Sequence, residues 1–276
     1  MTEIVPRWEW RWFGHRFGPA ESRLAALTPG AVQQSSETYL LSGEGDNVKV
    51  RDALMDIKVL REVNQDGLEQ WTPVMKAGFP LPADEVKKVF AALRLDPPPL
   101  RRASYDLSQF IDELAVPSGR IRAISVQKRR VRYTVGGCMA ELSEVVADGK
   151  PTRTIAVESE DAAAVIAAVR SLGLGSYVNT SYPRGLACLV DGAPSRYAVV
   201  DVGTNSIKFH VAEQSPEGRW RTVADRAEIT RLGEGLDQTR RIGDAALERA
   251  VAAIKGMVEE ARQQGVLAIV AVGTAG

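Results

Sequence analysis

The segment from Tyr197 to Val211 constrains the fold more than any other part of the chain. An apolar run rises to Asp201, turns tightly at Gly203 and returns with apolar residues at every second position. This alternation predicts two antiparallel strands, of which the second packs one face against a core. Because glycine has no Cβ, the turn at Gly203 lets the backbone approach a ligand closely. We therefore expect a β-hairpin whose turn lies at a binding site.

The turn consists of Gly203, Thr204, Asn205 and Ser206, which offer backbone N–H groups, two hydroxyls and an amide. Such donors can surround an anion. The carboxylate of Asp201, at the end of the first strand, is placed to hold a divalent cation. The alternative is an ordinary polar turn, because the same residue types are common in hairpin turns. The segments that follow the turn decide between these interpretations.

Three motifs follow one another from this point in the chain. The sequence reads D-V-G-T-N-S from Asp201, then R-L-G-E-G-L from Arg231, and then an apolar run between Ala268 and Ala275. In order and spacing, residues 196–276 resemble the exopolyphosphatase and guanosine pentaphosphate phosphatase family of the actin, sugar-kinase and Hsp70 superfamily. The first motif is similar to the first phosphate loop of that family.

The resemblance implies that Asp201 helps to hold Mg²⁺ and that the turn binds a terminal phosphate. The phosphate-binding residues that it implies are Gly203, Thr204, Asn205, Ser206, Lys208, Arg231 and Thr274. The general base of the family, a glutamate, is expected after Gly276, so no catalytic residue is expected in this chain. We expect the N-terminal portion of a longer phosphohydrolase, inactive by itself, whose full-length form is a candidate homodimer.

The first 190 residues contain several segments in which charged and apolar residues alternate. The segment from Val5 to Phe13 places Arg7, Glu9 and Arg11 on one face and three tryptophans on the other. Residues 47–51, 54–61 and 125–133 alternate in the same way. The basic residues of these faces are Arg7, Arg11, Lys49, Arg51, Lys58, Lys128, Arg130 and Arg132. One such face is usually solvated, but several in one domain favour a closed antiparallel barrel that holds a polyanion.

These segments resemble the CYTH family, the triphosphate-tunnel fold named for adenylate cyclase and thiamine triphosphatase. The first strand of that family carries E-x-E-x-K, where this chain has Arg7, Glu9 and Arg11. Of three glutamates on a late strand, this chain keeps only Glu158. Glu9 and Glu158 are the candidate metal ligands, and two carboxylates are few for two-metal phosphoryl chemistry. We therefore expect a degenerate tunnel that binds phosphate chains without cleaving them.

The overall charge of the chain excludes some classes of partner. Lys and Arg total 35 residues, and Asp and Glu also total 35. Because no global positive field exists, neither specific nucleic acid nor a membrane is an expected partner. The N-terminus has no apolar signal-peptide core, and no apolar run reaches the ~20 residues of a membrane span. We expect a cytoplasmic protein.

A length of 276 residues leaves room for two domains. Residues 191–194, which include Gly192 and Pro194, are the expected linker. The predicted fold class is an antiparallel CYTH-like β-barrel at residues 1–190, followed at 191–276 by an incomplete α/β lobe of the actin-like, ribonuclease H-like type. Residues 266–272 are apolar throughout, as a parallel strand buried on both faces would be.

The leading functional hypothesis is an exopolyphosphatase-type hydrolase of inorganic polyphosphate or guanosine pentaphosphate, preceded by a tunnel that binds polyanions. A non-catalytic polyphosphate- or nucleotide-binding module is the first alternative. The second is a working CYTH-type triphosphatase or cyclase in the tunnel domain, against which the missing carboxylates argue. A kinase that uses ATP is a third, and the R-L-G-E-G-L motif disfavours it.

Overall fold

A computed structural model of the chain describes residues 5–43, 45–192, 195–215, 219–236 and 240–273. The chain divides into two compact units, Met1–Ala193 and Pro194–Gly276. The first contains a closed antiparallel barrel and the second a separate mixed sheet with a helix, which confirms the predicted succession of a barrel and an α/β lobe. Among the described residues, none of the helices combines the length and the apolar character needed to cross a membrane.

The described part of the first unit contains ten strands, and eight of them form the barrel. The strands are β1 (Arg7–Gly14), β2 (Gln33–Leu41), β3 (Asn47–Arg51), β4 (Leu54–Val63), β5 (Glu69–Gly78), β6 (Leu81–Pro82), β7 (Ser104–Tyr105), β8 (Arg122–Val135), β9 (Cys138–Ala147) and β10 (Lys150–Ser159). Around the barrel the order is β1-β10-β9-β8-β2-β3-β4-β5, and β6 pairs with β7 separately. The barrel closes where β1 pairs antiparallel with both β10 and β5.

Five helices surround the barrel. They are α1 (Pro19–Ala25), α2 (Ala83–Ala92), α3 (Leu107–Gln109, continued by a π-helix at Phe110–Ala115 and a 3-10 turn at Val116–Ser118), α4 (Ala162–Ser171) and α5 (Tyr182–Asp191). Helices α2 and α3 cover apolar residues of β3 and β4. Helix α4 packs against β1, where Trp10 and Trp12 are buried, as expected for tryptophans on the outer face of that strand.

The inner face of the barrel changes character along its axis. On β8, Ile124, Val126 and Lys128 are buried at every second position, and the residues between them are exposed. Ile124 and Val126 pack with Tyr182 and Leu186 of α5, whereas Lys128 belongs to a charged region. One half of the interior is therefore an apolar core that α5 completes, and the other half is polar.

In its described residues, the second unit is a four-stranded sheet with one long helix. Its elements are β11 (Ser195–Val202), β12 (Ser206–Gln214), β13 (Trp220–Ile229), α6 (Asp244–Gln263) and β14 (Ala268–Gly273). The strand order is β13-β12-β11-β14, with β14 parallel to β11 and the other pairs antiparallel. Helix α6 packs through Ala250, Ala253 and Met257 against Ile207 and Phe209 of β12.

One expectation about this sheet is wrong. The apolar strand β14 is not buried on both faces, because Val270 and Val272 are substantially exposed. The physical reason is its position: β14 is an edge strand, and within the described part of the second unit α6 packs on one face of the sheet. The parallel pairing with β11 agrees with the expectation, and the burial does not.

Candidate functional site

A cavity of about 180 Å³ lies in the polar half of the barrel. Its basic lining residues are Arg11, Lys49, Arg51, Lys58, Lys128, Arg130 and Arg132. Its acidic lining residues are Glu9, Asp56, Glu141 and Glu158. The structure thus gathers in one cavity seven of the eight basic residues that strand alternation selected. The barrel is closed, so side chains that are distant in sequence face one another across its interior.

The cavity has a buried end and an exposed end. Along β8, the side chain of Lys128 is 4% exposed, that of Arg130 15% and that of Arg132 41%. Tyr182 of α5 lies at the buried end, with Arg11 and Lys128 over its ring. We call the end at Lys128 and Tyr182 the base, and the end at Arg132 and Lys58 the mouth.

Arg7, the eighth predicted basic residue, does not line the cavity. It lies beside the mouth, half-exposed, and its Nη1 donates to Oε1 of Glu158 at 3.1 Å. There it lines an adjoining hollow of about 660 Å³ that shares Asp56, Lys58 and Glu158 with the cavity. The side of this hollow formed by β5 is largely apolar, with Trp71, Pro73, Val74 and Met75.

Glu37 of β2 is the most buried acid near the cavity, and its carboxylate joins three cations. Its oxygens lie 3.0 Å from Nζ of Lys49, 3.7 Å from Nζ of Lys128 and 3.8 Å from Nη1 of Arg51. Ser35 donates a further hydrogen bond. Burial raises the pKa of Glu37, but the ammonium groups of Lys128 and Lys49 outweigh burial and lower the pKa to about 2. This carboxylate is therefore ionised across the physiological pH range.

Lys128 lies in a less favourable environment for its charge. Burial lowers the pKa of Lys128, the carboxylate of Glu37 opposes this only in part, and the pKa is about 7. Its Nζ lies 4.3 Å from the ring centroid of Tyr182 and 5.9 Å from that of Tyr39. These aromatic faces attract a cation only weakly compared with water. The amine is thus close to its titration midpoint at neutral pH.

On the β1 side, Arg11 joins the base of the cavity to two carboxylates. Its Nε donates to Oε1 of Glu9 at 2.8 Å and its Nη1 to the hydroxyl of Thr154 at 3.2 Å. Glu141 lies 4.0 Å from Arg11 and 3.5 Å from Arg130. Burial raises the pKa of Glu9, but Arg11 and Lys58 together lower the pKa below its usual value. Every buried acid here neutralises a neighbouring cation.

The candidate metal ligands of the barrel lie side by side. Glu9 and Glu158 are directly opposite one another in the register of β1 and β10. Each is already held by an arginine, Glu9 by Arg11 and Glu158 by Arg7. In the described part of the chain, no group of three or more His, Cys, Asp or Glu residues could hold a metal ion. The residues of the barrel therefore do not fit a two-metal centre.

In the second unit, the two predicted motifs meet. Carbonyl oxygens of the turn accept backbone N–H bonds from the second motif: Asn205 from Arg231 at 2.9 Å, and Thr204 from Gly233 at 2.7 Å. A Cβ at Gly233 would lie 3.0 Å from the Cβ of Thr204, so this close approach favours glycine. The R-L-G-E-G-L motif thus holds the turn in its conformation.

Asp201, Gly203, Lys208 and Thr274 are also predicted site residues of this unit. Asp201 and Lys208 are opposite one another in the register of β11 and β12, next to the turn. The N–H of Gly203 already donates to the carbonyl of Ser206 at 3.1 Å, so this donor is not available to an anion. Thr274 lies outside the described residues. A single carboxylate at Asp201 is compatible with Mg²⁺, which is commonly held by one or two carboxylates plus substrate phosphates.

Several residues in or beside the cavity were not selected from the sequence. Tyr39, Glu141 and Tyr182 line the cavity, whereas Glu37 and Asn179 lie beside it and contact its lining residues. Glu37 and Tyr39 lie on β2, a strand that the sequence did not reveal, and Tyr182 lies on α5, which was also not predicted. The amide of Asn179 accepts from the backbone N–H of Arg11 at 2.7 Å and donates to the carbonyl of Gly67 at 2.9 Å. A signal was present only for Glu141, which alternates with Ser143 on β9.

No protein-family model matches the chain, and no curated protein matches it. Among solved structures, an Aquifex aeolicus member of the Ppx/GppA family aligns with 23% identity over 29% of this chain and 26% of that one, with a TM-score of 0.28. The chain thus spans about a quarter of the length of that structure. A Hippeastrum protein, described as revealing a dominant triphosphatase activity, aligns with 13% identity over 67% of this chain and 96% of that one, with a TM-score of 0.38. The PH1012 protein of Pyrococcus horikoshii aligns with 14% identity over 62% of this chain and 91% of that one, with a TM-score of 0.36.

Proposed function

We propose that the barrel binds a linear phosphate chain without cleaving it, and that the second unit supplies the phosphate loop of a phosphoanhydride hydrolase. Inorganic polyphosphate and guanosine pentaphosphate are the proposed ligands. One observation carries the proposal: seven cationic side chains from four strands converge on one cavity inside a closed barrel. Charge-assisted hydrogen bonds from several such groups are the strongest means by which proteins hold phosphate oxygens.

Two cations at the mouth remain available to a ligand. Lys58 forms no ion pair within 4 Å in the described part of the chain. The buried Nε of Arg132 has no hydrogen-bond partner among the described residues, and its nearest carboxylate oxygen, on Glu141, is 4.0 Å away. A buried donor without an acceptor is costly. An anion at the mouth would satisfy it, which favours a ligand with many acceptor oxygens.

The same geometry favours binding over hydrolysis in the barrel. Phosphoryl transfer with two metal ions needs carboxylates that are free to coordinate them. Here Glu9, Glu37 and Glu141 are occupied by arginine and lysine side chains. We therefore propose that the second unit, rather than the barrel, contributes to hydrolysis, with Asp201 holding Mg²⁺ beside the turn at residues 203–206. A triphosphatase or cyclase in the barrel remains the less favoured alternative.

The barrel assignment can be tested with two arginines of one strand. Arg132 faces the cavity, and Arg129 lies on the outer face of β8, where it pairs with Glu144. We expect Arg132→Gln to weaken the binding of tripolyphosphate about tenfold or more, since a hydrogen bond to a charged group contributes ~1.5–3 kcal/mol. Arg129→Gln should leave the affinity unchanged. Isothermal titration calorimetry on the full chain measures both.

The salt dependence gives a second readout of the same titrations. Wild-type affinity should fall steeply as salt rises, by the counterion release known for nucleic acids. An equal loss in the two arginine variants would point to a general surface effect and contradict the proposed site. The absence of any binding at low salt would contradict the proposed function.

The pKa of Lys128, about 7, predicts a specific pH dependence. Below pH 7 the amine is charged and attracts phosphate, and above pH 7 it is mostly neutral. The wild type should therefore bind tripolyphosphate more tightly than Lys128→Met at pH 6, by about tenfold, and this advantage should shrink by pH 8. The ratio of the two affinities cancels the ionisation of the ligand itself. A ratio that stays constant from pH 6 to pH 8 would show that Lys128 does not titrate in this range.

A further inference from the structure

Helix α5 closes one end of the barrel. Its residues Tyr182 and Leu186 pack into the apolar half of the interior, and Tyr182 stacks on Tyr39 with ring centroids 4.9 Å apart. The helix lies very close to β1, because a Cβ at Gly185 would overlap the ring of Phe13. The apolar residues beneath the cavity are Leu41, Ile124, Val126, Val145 and Ala147. No charged chain could pass through this region without a large desolvation cost.

In the described part of the barrel, the cavity is therefore a pit that is closed at the base and opens at the mouth. Side-chain exposure increases along β8 from Lys128 through Arg130 to Arg132, so that the opening lies at the mouth. The volume of about 180 Å³ corresponds to roughly six water molecules in the liquid. A long polymer could place only a few of its units in this space. The shape of the pit therefore determines whether the end of a phosphate chain or an internal segment can enter it.

The base of the pit places one donor without an acceptor beside two basic side chains, each of which also lies near a carboxylate. The hydroxyl of Tyr182 is buried and has no hydrogen-bond partner among the described residues. The guanidinium carbon of Arg11 lies 4.7 Å from the centroid of the same ring, and Nζ of Lys128 lies 4.3 Å from it. A terminal phosphate carries about two charges and three acceptor oxygens. A phosphate within a chain offers fewer acceptors, because two of its oxygens are bridging.

We propose that this pit accepts only the free end of a linear phosphate chain, and that α5 enforces this selectivity by closing the barrel. The inference rests on the proposed function of the barrel and refines it: the ligand class becomes compounds with a terminal phosphate group. A cyclic phosphate has no end to insert, and an internal segment of a polymer would have to bend sharply to reach the base.

The test compares ligands of similar charge and different shape. Pyrophosphate is linear and cyclic trimetaphosphate is a ring, and both carry a charge of about −3 near neutral pH. Calorimetry on the full chain should show that pyrophosphate and tripolyphosphate bind at least tenfold more tightly than the ring. Equal affinity for pyrophosphate and the ring would overturn this inference and leave the proposed function in place. Failure of tripolyphosphate itself to bind would instead remove the proposed function.

A variant at the base gives an independent readout. Tyr182→Phe removes the hydroxyl and keeps the ring that packs on Tyr39 and Phe13. We expect tripolyphosphate affinity to fall about tenfold while the melting temperature stays equal or rises, because a buried hydroxyl without a partner contributes no stability. Affinity for the ring should not change. Unchanged affinity for tripolyphosphate in a folded Tyr182→Phe variant would overturn the role of the base.

Discussion

Replacing Glu37 with glutamine should destabilise the first unit by about 3–5 kcal/mol, the cost typical of removing one partner of a buried ion pair. The carboxylate lies within 4 Å of Lys49, Arg51 and Lys128, and its side chain is fully buried. Glutamine keeps the shape and loses the charge, so Lys49 and Arg51 lose their shared counter-ion, and Lys128 loses the carboxylate that favours its charged form. Denaturant unfolding, followed by the fluorescence of the buried tryptophans of β1, measures the change.

Two further variants make this result specific. Glu144→Gln removes an exposed carboxylate that pairs with Arg129 on the outside of the barrel, and it should cost at most about 1 kcal/mol. Adding Lys128→Met to Glu37→Gln should recover part of the loss, because the buried amine that Glu37 accompanied is removed with it. Equal losses for Glu37→Gln and Glu144→Gln would show that the ion cluster does not stabilise the barrel.

Asp201→Asn is expected to reduce the hydrolysis of polyphosphate by about 10²–10³ in turnover, the effect typical of losing one well-placed electrostatic group. The turn would still offer donors to phosphate, but Mg²⁺ would be poorly placed to offset the charge that develops during transfer. The fold should change little, since asparagine has nearly the same shape. Turnover and melting temperature are measured on the same preparation. Because this chain is expected to be inactive by itself, the preparation is the longer, full-length protein that contains the expected general base.

The control for this prediction is another aspartate of the same sheet. Asp225 is exposed on β13, near His210, and Asp225→Asn should leave both turnover and melting temperature unchanged. If Asp201 only hydrogen-bonds the backbone of its own turn, Asp201→Asn would lower the melting temperature and leave the turnover of the folded protein near the wild-type value. That outcome would remove Asp201 from the proposed site.

Most of the barrel could be predicted from alternation, and β2 shows why one strand could not. The inward residues of β2 are Ser35, Glu37, Tyr39 and Leu41, which change from polar to apolar along the strand. They do so because the interior itself changes from a charged pit to an apolar core. A strand is recognised in a sequence when apolar and polar residues alternate along its whole length, and β2 lacks this regular alternation.

Helix α5 was missed for a different reason. It contains Pro183 and Gly185, both of which lower intrinsic helix propensity. The proline lies in the first turn, where it is tolerated. The glycine is there because Phe13 leaves no room for a Cβ. Tertiary packing thus overrides local preference at the element that closes the barrel.

The basic residues of the site could be predicted from the sequence, and most of its acidic residues could not. Alternation identifies which residues share a face, and it correctly grouped Lys128, Arg130 and Arg132. It does not identify which residues meet across neighbouring strands. The contacts of Glu37 with Lys49 and Lys128 depend on the registers of β2 with β3 and with β8, which are properties of the folded barrel.

The pairing of the first strand with the last has a consequence for how the barrel is made. Arg7 and Glu158, which bond across β1 and β10, are 151 positions apart. At a synthesis rate of about 5–20 residues per second, roughly 8–30 s pass after the synthesis of β1 before β10, the partner of one of its two edges, exists. During that time β1 can pair only with β5, through Arg7, Trp8 and Glu9, and its other edge has no partner. Barrel closure is consequently a late step that depends on non-local contacts, which fold slowly, and the nascent chain is most in need of chaperone protection before β10 emerges.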